Sequence, residues 1–179
     1  MKQKKAKLML YIVISGIATV FLYIVLHEFG HVIVMLSAGA RITEFSILGA
    51  HVSGEGGSYT DISDLWLHVN GAVFPLVISY VYLLLYRKDS KNTFYNIFSW
   101  VFGLIPASSL LAWVVIPFAF LNGNAPEGDD VTLFLYNFSQ GHSPLLVSAA
   151  AVLLIGVSIT LLIRKKVFHN FIEELLHVR

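Results

Sequence analysis

The chain has 179 residues, of which 56% are hydrophobic and only 13% charged, with a net charge of +1 and a strongly positive mean hydropathy. A water-soluble core of that size cannot hide so much apolar surface, whereas several membrane spans can, so an ordinary soluble domain is excluded and one compact, all-α integral membrane bundle is expected. The lack of cysteine excludes a disulfide framework and thiolate metal sites, so any metal must be held by His, Asp or Glu; nothing in the charge calls for a nucleic-acid partner.

Four apolar stretches, about 8–36, 65–86, 94–121 and 144–163, are long enough to cross ~30 Å of hydrocarbon at ~1.5 Å per residue. They make residues 1–179 a single membrane-embedded domain ending in an interfacial tail, 164–179, with no internal repeat. Eleven of the twelve Lys and Arg residues lie in the head "MKQKKAK", the link "RKDSKN" and the tail, against Arg41 alone in the first long loop. Positively charged segments stay cytoplasmic, so both termini are expected inside, in a bacterial cell membrane, with the two long loops outside. A signal peptide cleaved after "SAGA" is disfavoured, because its apolar core would be far too long.

The first span carries "YIVLHEFGHVIVML", residues 23–36. An HExxH string on a helix puts His27 and His31 about 40° apart in azimuth and ~6 Å apart in rise, so both imidazoles can reach one ion. Glu28 lies beside such an ion, where it can take a proton from metal-bound water. Zinc with two or three protein ligands and an open position lowers the pKa of its water to ~7 and polarises a carbonyl. Ionisable groups in a membrane helix cost roughly 2.5 to 3.5 kcal/mol each and persist where they face a cavity or a partner.

After this span, "RITEFSIL" has β-branched and aromatic residues in partial alternation and suits either an edge strand that could bind an extended peptide through its backbone or a plain hairpin packed on the outer surface. "GAHVSGEGG" is too glycine-rich to hold a firm shape and reads as a mobile flap. The second span carries "NGAVFPL", where Asn70 is an amide suited to bridging two helices. Pro75, Pro106 and Pro117 fall inside spans and each frees a carbonyl.

The motif sits toward the outer end of its span, so a third ligand is sought in an outer loop or helix end. In "NAPEGDDVTLFLYNF", Asp129 and Asp130 open an apolar run after a Pro and a Gly, as at a helix start or a re-entrant turn. Asp130 is preferred as ligand with Asp129 as cap; His51, His68 and His142, also on the outer side, remain alternatives. In the tail, Phe168, Phe171, Ile172, Leu175 and Leu176 recur at helical steps after "RKK", describing an amphipathic helix on the inner leaflet or a docking surface.

With its HExGH at a helix end, the small-residue exit and the "FSILG" segment, "LHEFGHVIVMLSAGARITEFSILG" resembles the site-2 protease class of intramembrane zinc metalloproteases, the M50-like peptidases. "NGAVFPL" and "GDD" extend the likeness weakly, and about 50 contiguous residues carry it. The resemblance implies His27, His31 and an Asp as Zn2+ ligands, Glu28 as catalytic base and Asn70 as a substrate or oxyanion contact. Two departures stand out: the usual Asp-Gly inside a later membrane helix is missing, and the charge bias puts the site toward the outside, whereas many members cut near the cytoplasmic face. The expected function is zinc-dependent endoproteolysis of membrane-associated protein substrates. The alternative is a non-catalytic membrane chaperone or regulator on the same scaffold, with a structural metal or none; a metal transporter is disfavoured by the apolar middles of the second and fourth spans.

Overall fold

The computed structural model describes residues 2–176. In chain order these form helix α1 (Lys2–Ser37), strands β1 (Arg41–Ser46) and β2 (His51–Glu55), and helices α2 (Asp61–Leu84), α3 (Thr93–Leu121), α4 (Asp130–Phe138), α5 (Leu145–Arg164) and α6 (Val167–Leu176). Helices α1, α2, α3 and α5 are long and apolar enough to cross a membrane, and they follow the four expected spans to within a few residues. The exception is the start of α1, where the basic head continues the helix instead of forming a loop; its polar residues carry no apolar signal. The last three residues of the expected tail lie outside the described residues.

Local chemistry sets the helix ends. Thr60 and Ser63 form a reciprocal capping box that starts α2, four residues ahead of its apolar stretch, and Asp61 and Asp64 complement the helix dipole there. Asn92 caps α3 by accepting from the Tyr95 amide at 3.1 Å. Gly39, at φ 81°, ends α1 in the left-handed conformation, and the Ala40 amide reaches back to the Met35 carbonyl at 2.9 Å. Pro106 leaves the Phe102 carbonyl without its helical donor, and the buried Ser79 hydroxyl donates to it at 3.2 Å.

The two strands pair antiparallel, with Phe45 opposite Val52, Ser46 opposite His51, and an irregularity between Ile42 and Glu44. Residues 49–57, expected as a flap, therefore contain strand β2. Backbone pairing to β1 orders it despite its glycines, and His51 meets Glu44 across the hairpin at 3.1 Å.

The C-terminal part of α1 and the N-terminal half of α2 cross in contact: a Cβ on Gly30 would lie 2.4 Å from the Asn70 carbonyl oxygen. The Asn70 side chain donates to the Gly30 carbonyl at 2.7 Å. One core cluster joins α2, α3, α4 and α5 through Leu76, Leu110, Trp113, Val131, Leu135 and Val147. A second, at the opposite end, joins Leu83, Tyr86, Leu162 and Val167. There α6 docks on α3: Trp100 stacks on Phe171, while Asn96 and Thr93 donate to Glu174 at 2.9 and 2.8 Å. Two of the apolar tail residues thus behave differently, Phe171 packing on Trp100 and Leu176 remaining exposed.

Candidate metal centre

The hairpin, the start of α2 and α4 gather at one end of the bundle, over the last turns of α1. Helix α1 presents His27 and His31 one turn apart on the side facing α2, with ring centroids 4.8 Å apart. Asp130 arrives from the first turn of α4. His27 Nε2 and His31 Nε2 are 3.2 Å apart, and Asp130 Oδ2 lies 3.2 Å from the first and 3.3 Å from the second.

This near-equilateral triangle can be tested against zinc. A tetrahedral ion with bonds of ~2.05 Å to nitrogen and oxygen separates neighbouring donors by about 3.3 Å. The three atoms already have that spacing, and one face of the tetrahedron is left for a fourth group. The tautomer of His31 is fixed as well: Leu67 offers only a carbonyl oxygen, so Nδ1 of His31 carries the proton and donates to it at 2.7 Å, leaving the Nε2 lone pair toward the triangle. Nδ1 of His27 is buried and has no partner among the described residues.

Gly71 makes room for both rings. A Cβ there would come within 2.5 Å of His31 Nε2 and 2.7 Å of His27 Cε1, so α2 can lie against the imidazoles only because this position lacks a side chain. Neither Gly71 nor the Leu67 carbonyl was singled out from the sequence. Gly71 had a signal, its place beside Asn70 in "NGAVFPL"; a backbone carbonyl has none.

Glu28 is 3% exposed and lines the same cavity of about 420 Å³, together with His51, His68 and Asp129. Its carboxylate enters no hydrogen bond or ion pair among the described residues, so its acceptor capacity faces the cavity.

The two aspartates divide as the capping argument expects. Asp129 caps α4, accepting from the amides of Val131 at 2.8 Å and Thr132 at 3.1 Å and from the Thr132 hydroxyl at 2.7 Å. Asp130 is the one that meets the histidines. Burial alone would raise its carboxyl, but the imidazoles of His27, His31 and His68 outweigh that and hold it well below the usual carboxylate range.

Of the alternative ligands, His68 lies beside Asp130 but outside the triangle, its Nδ1 3.7 Å from Asp130 Oδ1. His51 lines the cavity and pairs with Glu44. His142 packs against Phe138, with ring centroids 5.0 Å apart, and is not brought to the cluster. The donor group that could hold a metal among the described residues is His27, His31 and Asp130. Asn70, implied as an oxyanion contact, uses its amide to join α2 to α1. Comparison of the chain with family models, with curated proteins and with solved structures gave no match in any of the three.

Proposed function

We propose that this chain is an integral membrane, zinc-dependent endopeptidase of the site-2 protease type that hydrolyses peptide bonds in membrane-associated proteins. The observation that carries the reading is the triangle of His27, His31 and Asp130 at tetrahedral spacing, with the buried Glu28 carboxylate on the same cavity. Bound there, zinc would supply Lewis acidity, drawing the pKa of a water toward ~7 and polarising the scissile carbonyl.

The rest falls to the chain's own groups. Glu28, with no partner among the described residues to compete for its oxygens, accepts a proton from the attacking water and passes it to the departing amine as the peptide bond breaks. The Leu67 carbonyl keeps His31 in its donor tautomer. Asp130 supplies a carboxylate oxygen, and with it negative charge, at the centre. Ala50, His51 and Val52 form one wall of the cavity, so an extended substrate segment lying along the hairpin passes over the site, its backbone groups available to a strand edge.

Four helices of spanning length, with outward side chains such as Leu10, Val13, Phe21, Val81, Leu111 and Leu153 exposed, support insertion in a bilayer. The test compares purified wild type with Glu28→Gln for zinc content and for cleavage of membrane-protein substrates. Retained zinc with cleavage reduced about 10²- to 10⁴-fold is expected of a lost general base. Cleavage at the wild-type rate would refute the role given to Glu28.

A further inference from the structure

Asp130 belongs to a helix of nine residues outside the four long ones, so some contact must fix its height against the histidines of α1. The core packing of Val131 and Leu135 seats α4, and two polar contacts between α4 and α2 add to it. At the far end of α4, the Asn137 amide donates to Asp64 Oδ2 on the first turn of α2. At the near end, His68 stands one turn along α2 from Asp64, with its Nε2 3.8 Å from Asp64 Oδ2 and its Nδ1 3.7 Å from Asp130 Oδ1.

Asp130 and Asn137 are seven positions apart, two turns on one face of α4. Asp64 and His68 are four apart, one turn on one face of α2. The two pairs therefore meet as a clamp that sets both the axial position and the rotation of α4. Oδ2 of Asp130 faces the imidazoles of α1, so Oδ1 is the oxygen left for α2. His68 reaches it at a separation that a shift of about 0.8 Å closes to hydrogen-bond length.

We infer that His68 is a positioning residue, held by Asp64 and aided by Asn137, that orients the Asp130 carboxylate for metal binding without itself being a ligand. The inference rests on the metal reading proposed above. Partners of ligating groups fix ligand orientation, and their removal typically costs 10- to 100-fold in metal affinity. Asparagine at position 68 places an amide nitrogen near the position of Nδ1 and can replace the donor; leucine cannot.

The experiment is a chelator competition for zinc on the full chain in detergent, with the visible spectrum of the cobalt-loaded protein as a second readout. For His68→Leu and Asn137→Ala, zinc affinity is expected to fall by about 10- to 100-fold, still reaching one ion per chain at saturation, with an altered cobalt spectrum. His68→Asn is expected to return to within about threefold of wild type, since its amide restores the contact.

Wild-type affinity in His68→Leu would overturn the inference. So would equal weakness in His68→Asn and His68→Leu, which would make the residue a ligand or a mere packing group. Circular dichroism checks that each variant folds; should His68→Leu fail to fold, Asn137→Ala decides, and full affinity there overturns the clamp. A wild type that takes up no zinc overturns the metal reading itself and the inference with it. A wild type that binds zinc but cleaves nothing sinks the protease reading alone, and the affinity series still decides the clamp.

Discussion

Both carboxylate oxygens of Asp129 are taken up by the first turn of α4, whereas its neighbour turns one oxygen to two imidazoles. Zinc bound per chain should therefore fall sharply in Asp130→Ala. Asp129→Ala should keep its metal and lose about 0.5 to 2 kcal/mol of stability, as expected for a lost N-cap. Zinc content by elemental analysis and thermal unfolding separate the two, and full occupancy in both variants would remove Asp130 from the centre. This division was legible in "GDDVTL", because Asp favours the cap position and the next residue begins the helix. The histidine pair was legible from its spacing. The contacts that hold the donors in place were not: Leu67 acts through its backbone, Gly71 through having no side chain, and His68 through a helix pairing that no local string encodes.

Along α1, Ser15, Thr19, Tyr23, His27 and His31 recur at every fourth position, a polar row within a helix that hydropathy reads only as a long apolar run. Ser15 and Thr19 are fully buried, and their hydroxyls have no partner among the described residues. Valine has nearly the shape of threonine without the hydroxyl, so Thr19→Val should leave the fold intact and stabilise it by on the order of 1 kcal/mol. Thermal unfolding of the detergent-solubilised chain measures this; a clear loss of stability would mean that the hydroxyl is satisfied by a bound water. Apolar length placed the helices well, but their ends follow chemistry that hydropathy does not weigh. The Thr60–Ser63 box begins α2 inside a polar stretch, and the docking of α6 depends on Asn170, which donates to the Tyr86 hydroxyl and the Lys88 carbonyl, both at 2.8 Å.

In the whole molecule the two ends differ. The α2–α3 turn with Arg87, Lys88 and Lys91 meets the α5–α6 junction at one end, where Lys165 donates to the Leu84 carbonyl at 2.6 Å. The hairpin, α4 and the histidine triangle occupy the other. If basic segments are retained in the cytoplasm, the centre opens on the outer side. A chain without native cysteine makes this directly measurable. Leu48→Cys at the hairpin turn and Asp89→Cys in the α2–α3 turn, both exposed positions, should differ in intact cells. A membrane-impermeant maleimide should label the first at once and the second only after permeabilisation, and the opposite pattern would invert the topology. The overall architecture was legible because apolar length and charge bias act over the whole chain. The pairing of α4 with α2, a contact between segments more than sixty residues apart, leaves no such trace.

The donors are also far apart in time. About a hundred residues separate His31 from Asp130, so a ribosome adding roughly 5 to 20 residues per second delivers the imidazoles about 5 to 20 s before the carboxylate exists. On the metal reading proposed above, a nascent chain holds an incomplete centre until its later half has emerged and closed onto the first helix.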